Sequence, residues 1–166
     1  MNSDQICLVA IGSNLGDSTA NVQRAFEELQ NLSALQIQKS SLWRSTPVDC
    51  PPDSPDFINA AAALAPLENE TPESLLEKLQ QLEFQFGRKP KAVINEPRPL
   101  DLDLIAFKIE TRDSTSLTLP HPRFHQRRFV LEPLNQIVPT AMLPGQTQTI
   151  GQLLAALDTA EALTRL

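Results

Sequence analysis

Arg98-Pro99-Leu100-Asp101-Leu102-Asp103-Leu104-Ile105-Ala106-Phe107 alternates two carboxylates with two leucines and then runs into apolar residues. A period of two is the signature of a strand. In a strand Asp101 and Asp103 share one face, roughly 6–7 Å apart at Cα, while Leu102 and Leu104 turn to the other. Two acids fixed this way suit a hard cation, because Mg²⁺ takes carboxylate oxygen and is often shared with phosphates. Arg98 stands just before them, within reach of a phosphate that such a cation also holds. The plain alternative is an edge strand with a solvated acidic face. The arginine, and the Pro-rich loop that delivers it, favour a metal–phosphate site.

The chain on either side reads as five further elements. Gln5 to Ile11 is an apolar run ending at Gly12, a buried strand. Gly12 to Asp17 is a tight connection that lacks the spacing and lysine of a P-loop, and Asp17 or Ser18 can cap the helix that follows. Val22, Ala25, Phe26, Leu29 and Leu32 recur at helical spacing. Leu35 to Trp43 predicts a second strand. Ser45 to Asp56, with Pro47, Pro51, Pro52 and Pro55, is a loop, because proline fixes φ and removes a donor. Phe57 to Ala65 predicts a third strand. Thr71-Pro72 opens a second helix with a capping hydroxyl and Pro at the first position. Its stripe is Leu75, Leu76, Leu79, Leu82 and Phe86, and Gly87 ends it. Gln80 and Glu83 lie together beside that stripe. Strand, helix, strand, strand, helix, strand is the order of an α+β ferredoxin-like split βαβ core, with an antiparallel sheet and both helices on one face. C-terminal additions include a helix from Ile150 to Leu157.

Composition narrows the function. The 166 residues predict one domain spanning 1–166, and 41% hydrophobic with 20% charged residues reads as a water-soluble chain. No apolar run approaches the ~20 residues of a membrane span. Cys7, in a core strand, and Cys50, in a loop, suggest no disulfide framework, so a cytoplasmic setting is expected. A net charge of −6 argues against a nucleic-acid partner. Positive charge is nevertheless local: Arg88, Lys89, Lys91 and Arg98 precede the acidic strand, and Arg123, Arg127 and Arg128 follow it. His121, held between Pro120 and Pro122, has no partner ligands for zinc. No serine or cysteine has the context of an activated nucleophile. The residues therefore suggest phosphoryl-type transfer by positioning, metal and arginine.

Ala10-Ile11-Gly12-Ser13-Asn14-Leu15-Gly16, Phe57-Ile58-Asn59-Ala60, Gly87-Arg88, Pro97-Arg98-Pro99-Leu100-Asp101-Leu102-Asp103 and Pro120-His121-Pro122-Arg123 through Arg127-Arg128-Phe129-Val130-Leu131 occur in one order across nearly the whole chain. Together they resemble the 6-hydroxymethyl-7,8-dihydropterin pyrophosphokinases of folate biosynthesis. The resemblance implies an attack by the pterin hydroxymethyl oxygen on the β-phosphorus of ATP, with AMP leaving. It implies two Mg²⁺ on Asp101 and Asp103, with ATP as co-substrate, and Arg88 and Arg98 as loop arginines acting on the phosphates. ATP-binding positions implied are Gln80, Glu83, Arg88, Arg98, Leu104, Thr118, His121 and Arg127. Pterin-binding positions implied are Thr46, Pro47, Phe57, Asn59, Asp101 and Phe129, with the two phenylalanines sandwiching the ring. A monomer is expected. The chain departs from the pattern where members often carry Trp-Gly-Pro-Arg: it has Asn95-Glu96-Pro97-Arg98, and Pro90 replaces a further arginine. A non-catalytic pterin or nucleotide sensor, and a metal-dependent phosphohydrolase, are the competing readings.

Overall fold

Strand β1 (Cys7–Ser13) lies near the centre of an antiparallel sheet, and every other strand is placed relative to it. The computed structural model describes residues 2–46, 51–89 and 96–166. After β1 come α1 (Ser18–Gln30), β2 (Gln38–Lys39), β3 (Trp43–Ser45), β4 (Phe57–Leu64), α2 (Pro72–Gln85) and β5 (Asp101–Phe107). A small hairpin of β6 (Arg112–Asp113) and β7 (Thr118–Leu119) follows, then α3 (Arg128–Ile137), α4 (Ile150–Ala156) and β8 (Leu163–Arg165). The main sheet runs β5-β1-β4-β3-β8, with β2 also paired to β4. Taking β2 and β3 together as the second strand, β5-β1-β4-β3 is the ferredoxin-like order, and the α+β expectation holds.

Alternation along each strand divides the molecule into layers. Val9, Ile11, Ile58, Ala60, Ala62, Leu102 and Leu104 face α1 and α2, whose Val22, Phe26, Leu29, Leu75 and Leu79 complete the first core. Leu8, Ala10, Ala61, Ala63 and Ile105 face the other way, against Phe124, Val130, Leu131, Leu134 and Ile150. The second face is thus covered by the C-terminal additions. Asp17 caps α1, and Thr71 caps α2 in a capping box with Ser74. Gly87 ends α2 at φ +96°, a conformation that favours glycine.

Two expectations need correction, and one strand was not anticipated. The strand expected over Leu35–Trp43 is two short pieces. Ser40 breaks it by accepting the Ala61 N–H through its Oγ, at 2.9 Å, where a continuous strand would offer a carbonyl. The first strand begins later and runs on to Ser13. The C-terminal strand β8 carries only three residues and gives no periodic signal. Pro47, Cys50, Pro90, Lys91 and Asn95 lie outside the described residues. Cys7 is buried as expected, and burial pushes its thiol up to about 12.

The turn after β1 fastens the long loops. Asn14 is buried; its N–H donates to the Arg98 carbonyl at 3.1 Å, and its Oδ1 accepts the Arg98 N–H at 2.9 Å. Its Nδ2 donates to the Pro55 carbonyl at 3.3 Å. Asn21 adds a bond to the Pro99 carbonyl at 3.2 Å. One amide thus ties both Pro-containing loops to the end of β1. Asn14→Ala is expected to destabilise the protein by about 1–2 kcal/mol, because it removes the bonds to the part-buried Arg98 N–H and to the Pro55 carbonyl. Urea unfolding checks this, and an unchanged midpoint would show that the loops are held elsewhere.

Candidate active site

The second face of the sheet is covered by α3 and α4 over only part of its length. At the other end the same alternation brings Asp101 and Asp103 of β5, Ala10 and Gly12 of β1, Phe57 and Asn59 of β4, and Ser45 of β3 to a cavity of about 580 Å³. In register, Asp101 stands opposite Gly12 and Asp103 opposite Ala10, so small residues leave room above the acids. A Cβ at Gly12 would already meet the Phe57 ring at 3.5 Å. The remaining wall comes from Arg88 and Arg98, from His121, Arg123, Gln126, Arg127 and Phe129 around the start of α3, and from Thr46 and Glu161.

Charge is concentrated at the β5 edge. One Arg88 nitrogen, Nη1, donates to Glu83 Oε2 at 2.6 Å and to Asp101 Oδ1 at 2.8 Å. Arg98 Nη1 reaches the other Asp101 oxygen at 3.4 Å. Glu83 is buried, and its Oε2 also accepts the Leu102 N–H at 2.8 Å. A carboxylate of α2 therefore satisfies a backbone donor on the outer edge of β5. Burial pushes Glu83 up to about 7, against the opposing pull of the Leu102 N–H and Arg88. Asp103 is half-buried and makes no hydrogen bond or ion pair among the described residues. Burial and then the neighbouring Asp101 charge push its carboxyl up to about 7, while Arg127 pulls the other way. Burial works against the Arg88 guanidinium, but Asp101 and Glu83 together raise it.

An unpaired carboxylate beside a second one is a donor set that fits a hard cation. Among the described residues no group of three or more His, Cys, Asp or Glu side chains could hold a metal by itself. Two carboxylates alone match an ion that takes its remaining ligands from water or phosphate rather than a protein cage.

His121 is placed by its own N–H, which donates to the Ile105 carbonyl on the free edge of β5 at 2.9 Å. Burial, then Arg127 and Arg123, lower its basicity. Its Nδ1 accepts the Arg123 N–H at 3.2 Å, so the neutral ring carries its proton on Nε2. Asn59 is buried, and its Nδ2 donates to Ser45 Oγ at 2.8 Å and to the Trp43 carbonyl at 3.4 Å. Its amide group is thereby oriented, with both donors engaged and Oδ1 left to accept. Phe57 and Phe129 lie on different elements, and each has a guanidinium nearby: Arg98 at 6.0 Å from the Phe57 ring and Arg127 at 5.6 Å from that of Phe129.

Several expected site residues are not in this cavity. Gln80 is exposed on α2, in a shallow groove with Glu77, Gln81, Phe84 and Gln85. Leu104 packs in the first core, on the face opposite the acids. Thr118 sits in β7, away from the cavity lining. Glu83 acts from behind Arg88 rather than from the wall. Conversely, Ser45, Gln126 and Glu161 line the cavity without having been singled out by spacing. Ser45 shares the alternation of β3 with Trp43, a signal too short to use, and Glu161 carries none.

Comparison with known proteins gives one answer. The family model for 7,8-dihydro-6-hydroxymethylpterin-pyrophosphokinase matches residues 8–139. A 2-amino-4-hydroxy-6-hydroxymethyldihydropteridine pyrophosphokinase of Synechocystis is 35% identical over 151 residues, covering 91% of this chain and 75% of the relative. The enzyme of the same name from Pseudomonas aeruginosa is 36% identical over 149 residues, covering 89% of each. Among solved structures, the wild-type HPPK-DHPS of Plasmodium falciparum superposes with a TM-score of 0.68 at 13% identity. That match covers 90% of this chain and 40% of the longer one, and supports the fold alone. With the sequence blocks in register and two bacterial relatives matched over most of their length, the chain belongs to the 7,8-dihydro-6-hydroxymethylpterin-pyrophosphokinase family, the ATP-dependent diphosphotransferases of folate biosynthesis.

Proposed function

We propose that this chain, acting as one catalytic unit over 1–166, transfers the diphosphate of ATP to the hydroxymethyl group of 6-hydroxymethyl-7,8-dihydropterin, releasing AMP. The observation that carries the proposal is the convergence on one cavity of two carboxylates, two loop arginines and a pair of phenylalanines beside an oriented amide. Asp101 and Asp103 would hold two Mg²⁺. Bound there, such ions neutralise phosphate charge and acidify the attacking hydroxyl.

The chain's own groups do the rest. Phe57 and Phe129 hold the flat pterin between them, and Asn59 Oδ1 accepts from a donor on its edge. Thr46 lines the cavity at the proposed pterin end. Arg127 and the Nε2–H of His121 supply donors to the ATP phosphates without requiring a charged imidazole. Arg88 and Arg98, now on Asp101, turn their donors to the phosphates as charge redistributes during transfer. Their interaction with a phosphate is charge-assisted and costs little reorganisation, because Glu83 and Asn14 already hold the flanking backbone and side chain. No helix in the described residues is long and apolar enough to cross a membrane. The proposed reaction is placed in the cytoplasm, with the chain acting as a monomer.

AMP release from ATP and Mg²⁺, with and without the pterin, tests the reaction. Pterin-dependent AMP supports it; pterin-independent phosphate release would make the chain a phosphohydrolase, and binding without turnover a sensor. Asp101→Asn and Asp103→Asn are each expected to abolish AMP formation with the fold intact, and near-normal rates in both would remove the two-metal scheme. Arg98→Ala is expected to slow the chemical step by about 100-fold while changing pterin affinity little. Equal losses in both would make Arg98 a substrate anchor.

Asp103 also predicts a pH dependence of stability in the metal-free protein. Its carboxyl holds a proton up to about pH 7 when folded, against 3.8 for the ordinary group. Glu83 behaves likewise between 4.5 and about 7. The folded state binds more protons than the unfolded chain across that window, so stability falls as pH rises through it. Asp103→Asn should reduce this slope and raise stability at pH 8 by about 1–2 kcal/mol, after allowing for solvent screening of a half-buried group. Thermal unfolding in a chelator between pH 5 and 8 reads it; an unchanged slope would show that Asp103 ionises freely.

A further inference from the structure

The C-terminal strand sits beside the cavity and outside the part of the chain that the family model matches, which ends at residue 139. β8 pairs with β3, Leu163 opposite Ser45 and Trp43 opposite Arg165, and the Leu166 N–H donates to the Leu42 carbonyl at 2.9 Å. The segment entering β8 therefore passes the wall built by Ser45 and Thr46, and Glu161 lies in that wall. Glu161 Oε2 accepts the Arg128 N–H at 2.8 Å. The Glu161 N–H is itself held by Thr159 Oγ1 at 3.2 Å.

Arg128 is the first residue of α3, and α3 has neither a side-chain cap of its own nor an acid in its first turn. The first N–H groups of a helix have no intrahelical partner, and a carboxylate there is favoured by both hydrogen bonding and the helix dipole. Glu161 supplies that carboxylate from 33 residues away. The turn it caps is the mount of the site: Arg127 and Phe129 flank Arg128 and both line the cavity. The Arg127 carbonyl in turn accepts the Val130 and Leu131 N–H groups at 3.1 and 3.0 Å.

We propose that Glu161 is a positioning residue: through β8 it caps α3 and so fixes Phe129 and Arg127 for pterin and ATP. The proposal rests on the reaction proposed above for its ligands, but its structural half does not. Glu161→Ala removes the acceptor, whereas Glu161→Gln keeps an acceptor oxygen and loses the charge.

Two measurements decide. Amide exchange by NMR, without ligand, should be about five- to tenfold faster at Arg128 in Glu161→Ala and near wild-type in Glu161→Gln. Pterin affinity, read from the fluorescence of Trp43 on the neighbouring β3, should weaken about fivefold in Glu161→Ala and recover in Glu161→Gln. Equal weakening in both variants would mean that the carboxylate charge meets the ligand directly, and would overturn the proposal. So would unchanged exchange in Glu161→Ala. If the wild-type chain bound no pterin, the proposed reaction would fail, while the exchange rates would still decide the capping.

Discussion

Asp101 carries two guanidinium groups, Arg88 on one oxygen and Arg98 on the other, and the rest of the site is arranged around that pairing. An acid at a half-buried position beside a second acid is costly unless its charge is balanced. Balance comes from outside the strand, on loop residues, which makes it exchangeable. Glu83 makes the arrangement durable. It pairs with Arg88 and at the same time accepts the Leu102 N–H, so one carboxylate links α2, the loop and the edge strand. Asp103 has no ion pair of its own among the described residues, and burial followed by the neighbouring Asp101 charge raises its proton affinity against the pull of Arg127. The two acids share a strand face but differ in electrostatic state: one is held by arginines, the other is without an ion pair among the described residues and holds a proton more readily.

Depth in the cavity is a matter of small residues in register. Gly12 and Ala10 stand opposite the two acids, and Ala61 continues the low surface on β4. The same alternation that buries Ala61 and Ala63 under α3 turns Phe57 and the buried Asn59 to the cavity instead. The cavity is therefore the part of the second core that the C-terminal helices do not cover. Its walls are loops, and loops hold position only if their backbone groups are satisfied. Asn14 and Asn21 meet that requirement for the arginine loop, and Glu161 does so for the first turn of α3.

Features that repeat along the chain were legible in the sequence; those that depend on a single distant bond were not. Asp101 and Asp103 follow from strand alternation, and the capped start of α2 follows from Thr71-Pro72. The chain order of elements then points to the ferredoxin-like core. Glu83, one helical turn from Leu79, reads from spacing as ordinary helix surface; only the approach of Leu102 buries it. Asn14 in a turn reads as loop chemistry, because its partners lie 41 and 84 residues away. Gln80, Leu104 and Thr118 came from the resemblance rather than from any pattern here, and the cavity lining includes none of them. The break at Ser40 escapes periodicity for a related reason: a side-chain oxygen replaces a carbonyl without changing the alternation of its neighbours.

The arginines give the ligand-free site its logic. Arg98 contacts Asp101 and stands near the Phe57 ring, and Arg127 stands near the Phe129 ring while its charge acts on Asp103. Each cation thus occupies, in the free protein, a place beside a group that the proposed reaction assigns to a ligand. Under the proposed reaction, substrate binding would exchange partners instead of burying new unpaired charge: pterin would take the ring faces, a cation the carboxylates, and the guanidiniums would move to phosphate. An exchange of this kind keeps each partly desolvated charge compensated before and after, which limits the cost of assembling a highly charged transfer complex. It would also reconcile a net charge of −6 with the proposed binding of ATP, since positive groups are already in the cavity, balanced by the carboxylates that would hold the cation.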